Sequence, residues 1–255
     1  MPARALKLTK RNQLVMQIRK IHEDSRKSYG SPKIAAVLNA DERVASSKFV
    51  AKLMRENNIH AISHKKFRKK SKPSEDSIEH NLIKEKEVNA PNQVWVSDIT
   101  YIWTQNKWMY LSSIMDLYSR KIISHIMDDR MNSRLVEETL KLAASRRSFT
   151  SDTIFHSDKG SQYRSNSFKS LLKEYGFKQS MCGKANCYDN AAMESFHSSL
   201  KKELIYPSKI DDKKHTQLKV FDYIEGFYNK NRVHSSLGYI SPEKFESNYQ
   251  MRMGL

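Results

Sequence analysis

At 255 residues the chain has room for one or two domains with a buried core, and its 45 Lys and Arg against 28 Asp and Glu leave a net charge of +17 that asks for a polyanionic partner. Neither a secretory leader nor an uncharged apolar run of about 18 residues occurs, so the expectation is a cytoplasmic protein with no membrane partner. Two cysteines, Cys182 and Cys187, are too few for a disulfide framework or a zinc site and read as reduced thiols.

From Thr9 to about Ser28 the apolar positions Leu14, Ile18 and Ile21 recur at helical spacing, and Tyr29 and Gly30 end that helix. Ser31 followed by Pro32 starts a second, with Ile34, Val37 and Leu38 as its buried face. Ser46 or Ser47 caps a third, in which Phe49, Val50, Leu53 and Met54 face inward while Lys48, Lys52 and Arg55 face out as candidate DNA contacts. This helix-turn-helix-like segment, residues 1–62, precedes a basic polar linker over 63–90. The linker carries Lys65, Lys66, Arg68, Lys69, Lys70 and Lys72, which can neutralise phosphates or simply be solvated. His60 and His64 have the spacing of a zinc pair, but no cysteine pair follows them and we reject a zinc site.

At Pro91 the composition changes. Val94 to Trp103, Trp108 to Leu117 and Lys121 to Met127 are rich in β-branched and aromatic residues and predict three strands in an antiparallel meander. Trp95, Trp103 and Trp108 are assigned to the core. A helix over 132–147, capped by Asn132 or Ser133, is followed by a short strand from Thr153 to His156, a helix from Phe168 to Tyr175, a strand from Phe177 to Met181 and a helix from Asp189 to about Ile205. That order predicts an α/β fold, a mixed sheet flanked by helices over 91–206, with 207–255 as a helical extension packed on it.

Asp98 lies inside an apolar strand, where an ionised side chain is costly without a cation or a basic partner. Asp158 follows a strand of its own and meets Asp98 if the two strands are neighbours, and Glu194 on a helix can complete the cluster. Paired carboxylates suit two hard cations, which phosphoryl transfer uses on the attacking and leaving oxygens. Each acid also has a plain reading: a strand acid in solvent, a turn cap, a glutamate favoured by the helix dipole.

Their settings add a resemblance. The stretches Trp95-Val96-Ser97-Asp98-Ile99-Thr100-Tyr101, His156-Ser157-Asp158-Lys159-Gly160-Ser161-Gln162-Tyr163 and Asn186-Cys187-Tyr188-Asp189-Asn190-Ala191-Ala192-Met193-Glu194-Ser195-Phe196 place 35 residues between Asp158 and Glu194, with Lys201 seven residues further on. With Asp116-Leu117-Tyr118-Ser119-Arg120, Phe227-Tyr228-Asn229, Arg232, His234 to Tyr239, Ser241-Pro242, Tyr29-Gly30 and Leu53-Met54-Arg55-Glu56, the chain resembles nearly end to end the second-frame protein of insertion-sequence-three family transposases. Glu42 and Ala185 stand where that family usually has glycine.

The resemblance implies an RNase H-like five-stranded core of the retroviral integrase superfamily. Asp98 comes from its first strand, Asp158 from the end of its fourth and Glu194 from a later helix, as a catalytic triad holding two magnesium ions, with manganese able to substitute. It further implies DNA strand cleavage and transfer at element ends and target, a first-frame protein or fused frameshift product as partner, and a homo-oligomer on the nucleoid. Lys201 is expected to reach a phosphate, and Asn190, Gln162 and His156 to orient water or DNA or to serve as loop and cap hydrogen bonds. The alternatives are a catalytically silent DNA-binding regulator and a nuclease on the same core.

Overall fold

In the N-terminal third the apolar spacing produces three helices, α1 (Pro2–Asp24), α2 (Ser31–Leu38) and α3 (Ser47–Glu56). The computed structural model describes residues 2–40, 45–62, 81–84, 86–105, 107–182, 190–208 and 212–254, with side chains from Leu8 onward. It divides into two units, Met1–Lys66 with Asn231–Ser241, and Phe67–Lys230 with Pro242–Leu255.

In the first unit Leu14, Ile18, Ile34, Val50, Leu53 and Met54 form the buried seam. Ser46 caps α3 by accepting from the Phe49 N–H at 3.2 Å. Ser31 is the first residue of α2 and Gly30 its cap, so the proline signal placed the start correctly and the capping serine did not. Phe49, expected inward, is exposed on α3 beside Lys48, Lys52 and Arg55, which are exposed as expected. The basic block Lys65, Lys66, Arg68, Lys69 and Lys70 lies outside the described residues.

Tyr29 does more than end α1. Its buried hydroxyl accepts from the Val233 N–H at 2.6 Å and donates to the Asn231 carbonyl at 3.4 Å. Residues 231–241, expected with the rest of the tail on the core, therefore pack with the N-terminal helices. Leu237 is the apolar anchor of this segment.

The second unit holds a five-stranded sheet of order β3-β2-β1-β4-β5, from β1 (Val94–Trp103), β2 (Trp108–Asp116), β3 (Ile122–Asp128), β4 (Ile154–Ser157) and β5 (Lys178–Met181). The pairs β1–β2 and β2–β3 are antiparallel, and β1–β4 and β4–β5 are parallel. Between β3 and β4 lies α4 (Ser133–Arg146), which Asn132 caps at the Leu135 N–H, 3.1 Å, and between β4 and β5 lies α5 (Asn166–Glu174). Their apolar stripes bury Trp95, Phe155, Leu140 and Phe168 in one cluster, with the Trp95 ring 5.0 Å from that of Phe177. Strand alternation sends Asp98 to the opposite face with Val96 and Ile102.

After β5 follow α6 (Ala191–Leu200), which continues as a π-helical turn over Lys201–Ile205, then α7 (Lys213–Phe221), a second π turn over Asp222–Tyr228, and α8 (Pro242–Met253). Buried Asn229 accepts from the Ile122 N–H and donates to the Ile122 carbonyl, both at 2.9 Å, so its amide pairs with edge strand β3 as another strand would. Arg147 holds Glu246 of α8 through two hydrogen bonds, one of them 3.0 Å long. The Asp116 motif is a structural turn: that buried carboxylate accepts from the N–H groups of Asn92, Tyr118 and Ser119. No helix among the described residues is long and apolar enough to cross a membrane.

Candidate active site

Two carboxylates meet where β4 ends against β1. Parallel register pairs Ser97 with Ser157, so Asp98 and Asp158 follow side by side on strands about 4.8 Å apart. This is where the sheet changes direction, the place at which open α/β sheets form a crevice. Asp98 is partly buried; its Oδ1 accepts from the Ile99 N–H at 2.8 Å and its Oδ2 lies 3.4 Å from Nδ1 of His197.

Asp158 is open to solvent along one side, and its Oδ1 accepts from the Gly160 N–H at 3.0 Å. Surrounding protein desolvates it enough that burial pushes its carboxyl above the usual range, against the Gly160 hydrogen bond, with the Asp98 charge pushing the same way as burial. A Cβ on Gly160 would stand 2.9 Å from Asp158 Oδ1, so a side chain there would push the carboxylate from its present position. Beneath the pair, the hydroxyls of Tyr163 and Ser97 are 2.9 Å apart, and burial, then Asp98, raises the Tyr163 phenol well above its ordinary value. That proton stays put and ties the Asp158 loop to β1.

The other site residues separate. Glu194 is exposed in the first turn of α6, and among the described residues no three His, Cys, Asp or Glu side chains are placed to hold one metal ion. His197, one turn further along α6, is the residue that faces Asp98. Sequence reading missed it, although its spacing of three from Glu194 puts both on neighbouring positions of the helix. Its Nε2, like Oδ1 of buried Asn190, has no hydrogen-bond partner among the described residues.

Of the two readings offered for His156 the structure shows hydrogen bonds within the protein: it is fully buried, with Nδ1 2.9 Å from Ser180 Oγ and Nε2 3.3 Å from Cys182 Sγ, and so ties β4 to β5. Gln162 donates to the Met131 carbonyl at 3.4 Å, a loop contact.

Lys201 reaches the site from the junction of α6 with its π turn. Its ammonium sits over the Tyr101 ring, 4.9 Å from the centroid; burial lowers its pKa, and Asp98 acts against that. Trp95 is in the core as expected, whereas Trp103 and Trp108 are exposed. Alternation gave them a face of the sheet, and that face is uncovered at the hairpin end.

A hard divalent cation fits the Asp98–Asp158 pair: two adjacent carboxylates, one of them with its charge disfavoured, stand together with the His197 ring and the Lys201 ammonium nearby. Among the described residues Glu194 does not complete a three-ligand site with them.

Residues 9–67 match the family described as HTH-like domain, and residues 88–187 and 175–242 match two described as integrase core domain. The chain is 36% identical over 232 residues to the transposase for insertion sequence element IS904 of Lactococcus lactis, covering 90% of this chain and 92% of that one. It is 36% identical over 225 residues to transposase InsF for insertion sequence IS3A of Escherichia coli, covering 88% and 78%. Among solved structures, its fold is similar to a chain of the simian T-cell lymphotropic virus intasome in complex with PP2A regulatory subunit B56 gamma. There the TM-score is 0.51 at 15% identity, over 90% of this chain and 74% of that one.

Proposed function

The chain belongs to the insertion-sequence-three family of transposases, and from that premise we propose that Asp98, Asp158 and Glu194 are the acids with which it cuts DNA at element ends and joins the freed 3′-hydroxyl to target DNA. The observation that carries the assignment is the pair of carboxylates at the end of β4, one of them with its charge disfavoured. Asp98, Asp158 and Glu194 would hold magnesium, with manganese able to substitute. Two such ions supply activation of the attacking oxygen and stabilisation of the leaving oxygen. The chain's own part is positioning: Gly160 fixes the Asp158 carboxylate, Lys201 orients a phosphate beside Asp98, and Lys48, Lys52 and Arg55 hold the duplex backbone.

The family resemblance adds that the chain works with the first-frame protein, or fused to it, as an oligomer on DNA in the cytoplasm. Nicking and strand transfer of an oligonucleotide carrying the terminal repeat test the reading. Activity is expected in magnesium and is expected to be lost in Asp98→Asn, Asp158→Asn and Glu194→Gln, each with an unaltered circular dichroism spectrum. Wild-type activity in any one of them refutes the assignment of that acid. The exposed position of Glu194 favours one second reading, a DNA-binding regulator without turnover. Its signature is salt-dependent DNA binding with no cleavage in magnesium or manganese, and hydrolysis without end joining marks a nuclease.

A further inference from the structure

The β1–β2 hairpin presents an aromatic surface that the chemistry above leaves unused. Tyr101, Trp103 and Trp108 are 52%, 52% and 46% exposed. The register pairs Trp103 directly with Trp108, the two rings 4.9 Å apart and edge to face, and Tyr101 meets Trp108 diagonally at 5.5 Å. Large aromatics are usually buried, and a cluster left half in water marks an interaction surface more often than an accident of the fold. With Lys201 and Tyr206 these residues line a pocket of about 470 Å³.

What could fill it is limited by its surroundings. The pocket is concave and walled by ring faces, and among the described residues that line it the one cation is Lys201, whose ammonium also lies over the Tyr101 ring and in the field of Asp98. Tyr101 is three residues beyond Asp98 on the same strand, about 10 Å at the rise of a β-strand; alternation turns it to the other face, and Lys201, over its ring and in the field of Asp98, links the two. In duplex DNA that distance is about three base steps at roughly 3.4 Å each. A ring wall accepts a base only after the base has left its pair and stack, and a pocket of this size excludes a duplex. The net charge of +17 suits a nucleic acid as occupant.

We propose that this pocket stacks an unpaired nucleobase of the strand whose phosphate lies at the Asp98–Asp158 site, about three nucleotides from it. The proposal rests on the DNA-cutting reading above and adds a ligand subsite to it. The chain then favours DNA ends that are frayed or single-stranded near the cut, and Lys201 couples the stacked base to the phosphate.

The test is metal-free binding by the full chain, so that its outcome does not depend on cleavage. Anisotropy titrations compare a fully paired duplex end with one whose last nucleotides are unpaired, the third being 2-aminopurine. The wild-type chain is expected to prefer the unpaired end and to quench the 2-aminopurine. Trp103→Ala/Trp108→Ala should lose about 5- to 150-fold in affinity for that end, the range of base–aromatic stacking, while binding the paired duplex unchanged. Trp103→Phe/Trp108→Phe should retain the preference, and an abasic third position should cost the wild-type chain a similar factor.

Equal affinity of the wild-type and Ala variants for the unpaired end overturns the proposal, as does an equal loss on both DNAs. So does a wild-type dimer in sedimentation that the Ala variant fails to form, because the pocket would then be filled by a second copy. If the Ala variant does not fold, quenching of 2-aminopurine by the wild-type chain decides, and its absence overturns the proposal. Magnesium-dependent cleavage by the wild-type chain, measured alongside, reports separately on the catalytic reading.

Discussion

Replacing Asp158 with Asn should stabilise the metal-free protein and at the same time cost it its response to magnesium. The two carboxylates follow a paired Ser97 and Ser157, so their charges are about 5 Å apart. At an effective dielectric of about 20 that repulsion is about 3 kcal/mol. Asp158 is open to solvent on one side, however, and screening there cuts the figure to about 1 kcal/mol. Asparagine keeps the oxygen that accepts from Gly160 and removes the charge that burial and Asp98 both oppose. The melting temperature in EDTA should rise by about 2–4 °C for a unit of this size. Magnesium at about 100 times its dissociation constant should add about 2.7 kcal/mol to the wild-type chain and clearly less to the variant. Melting followed by circular dichroism, with EDTA and then with magnesium, reads both effects. A variant that melts lower in EDTA, or that gains as much from magnesium as the wild-type chain, refutes the pairing of these acids at a cation site.

Arg147→Met should cost about 3–5 kcal/mol, read as a lower urea midpoint. It strands Glu246, whose side chain is 6% exposed; burial is the largest single effect on this carboxyl and raises it, and Arg147 with Lys121 and Ser119 together hold it below the usual range. Arg147→Met/Glu246→Leu should recover most of the loss. Tyr29→Phe should destabilise the N-terminal unit by about 1–2 kcal/mol and remove hydrogen-exchange protection from the Val233 amide. Acid lability should include Glu225, whose pKa is lowered first by its hydrogen bond to His125, then by Arg146 and Asn229, against burial. A folded pKa below the unfolded one means that this stability is complete above pH about 4.5 and fades as pH falls through the depressed value. Glu225→Gln should flatten that part of the profile in acid titrations of the fold.

The meander, the crossover strands and the position of both aspartates were legible because β-branched runs and caps are local signals, and one strand is enough to show that an acid is out of place. What failed needed information beyond one element. Alternation assigned Trp103 and Trp108 to a face without telling whether anything covers it. Helical spacing put Glu194 and His197 on adjoining positions, and only the rotation of α6 about its axis decides which faces Asp98. The two readings of His156 stayed open in the sequence, although β4 is buried along its whole length, the mark of a parallel strand covered on both faces, where polar side chains bond to protein. Residues 231–241 carry no periodicity at all, and their partners lie some two hundred positions earlier.

That last arrangement sets a timetable for synthesis. The core can assemble from Phe67–Lys230 as it emerges and take up α8 last, but the N-terminal helices must wait for a segment that begins 165 residues after Lys66. At about 5–20 residues per second the ribosome needs roughly 10–30 s to deliver it. During that interval the Tyr29 hydroxyl and the Leu237 site lack their partners, and a nascent chain truncated before residue 231 carries a helical unit that cannot close.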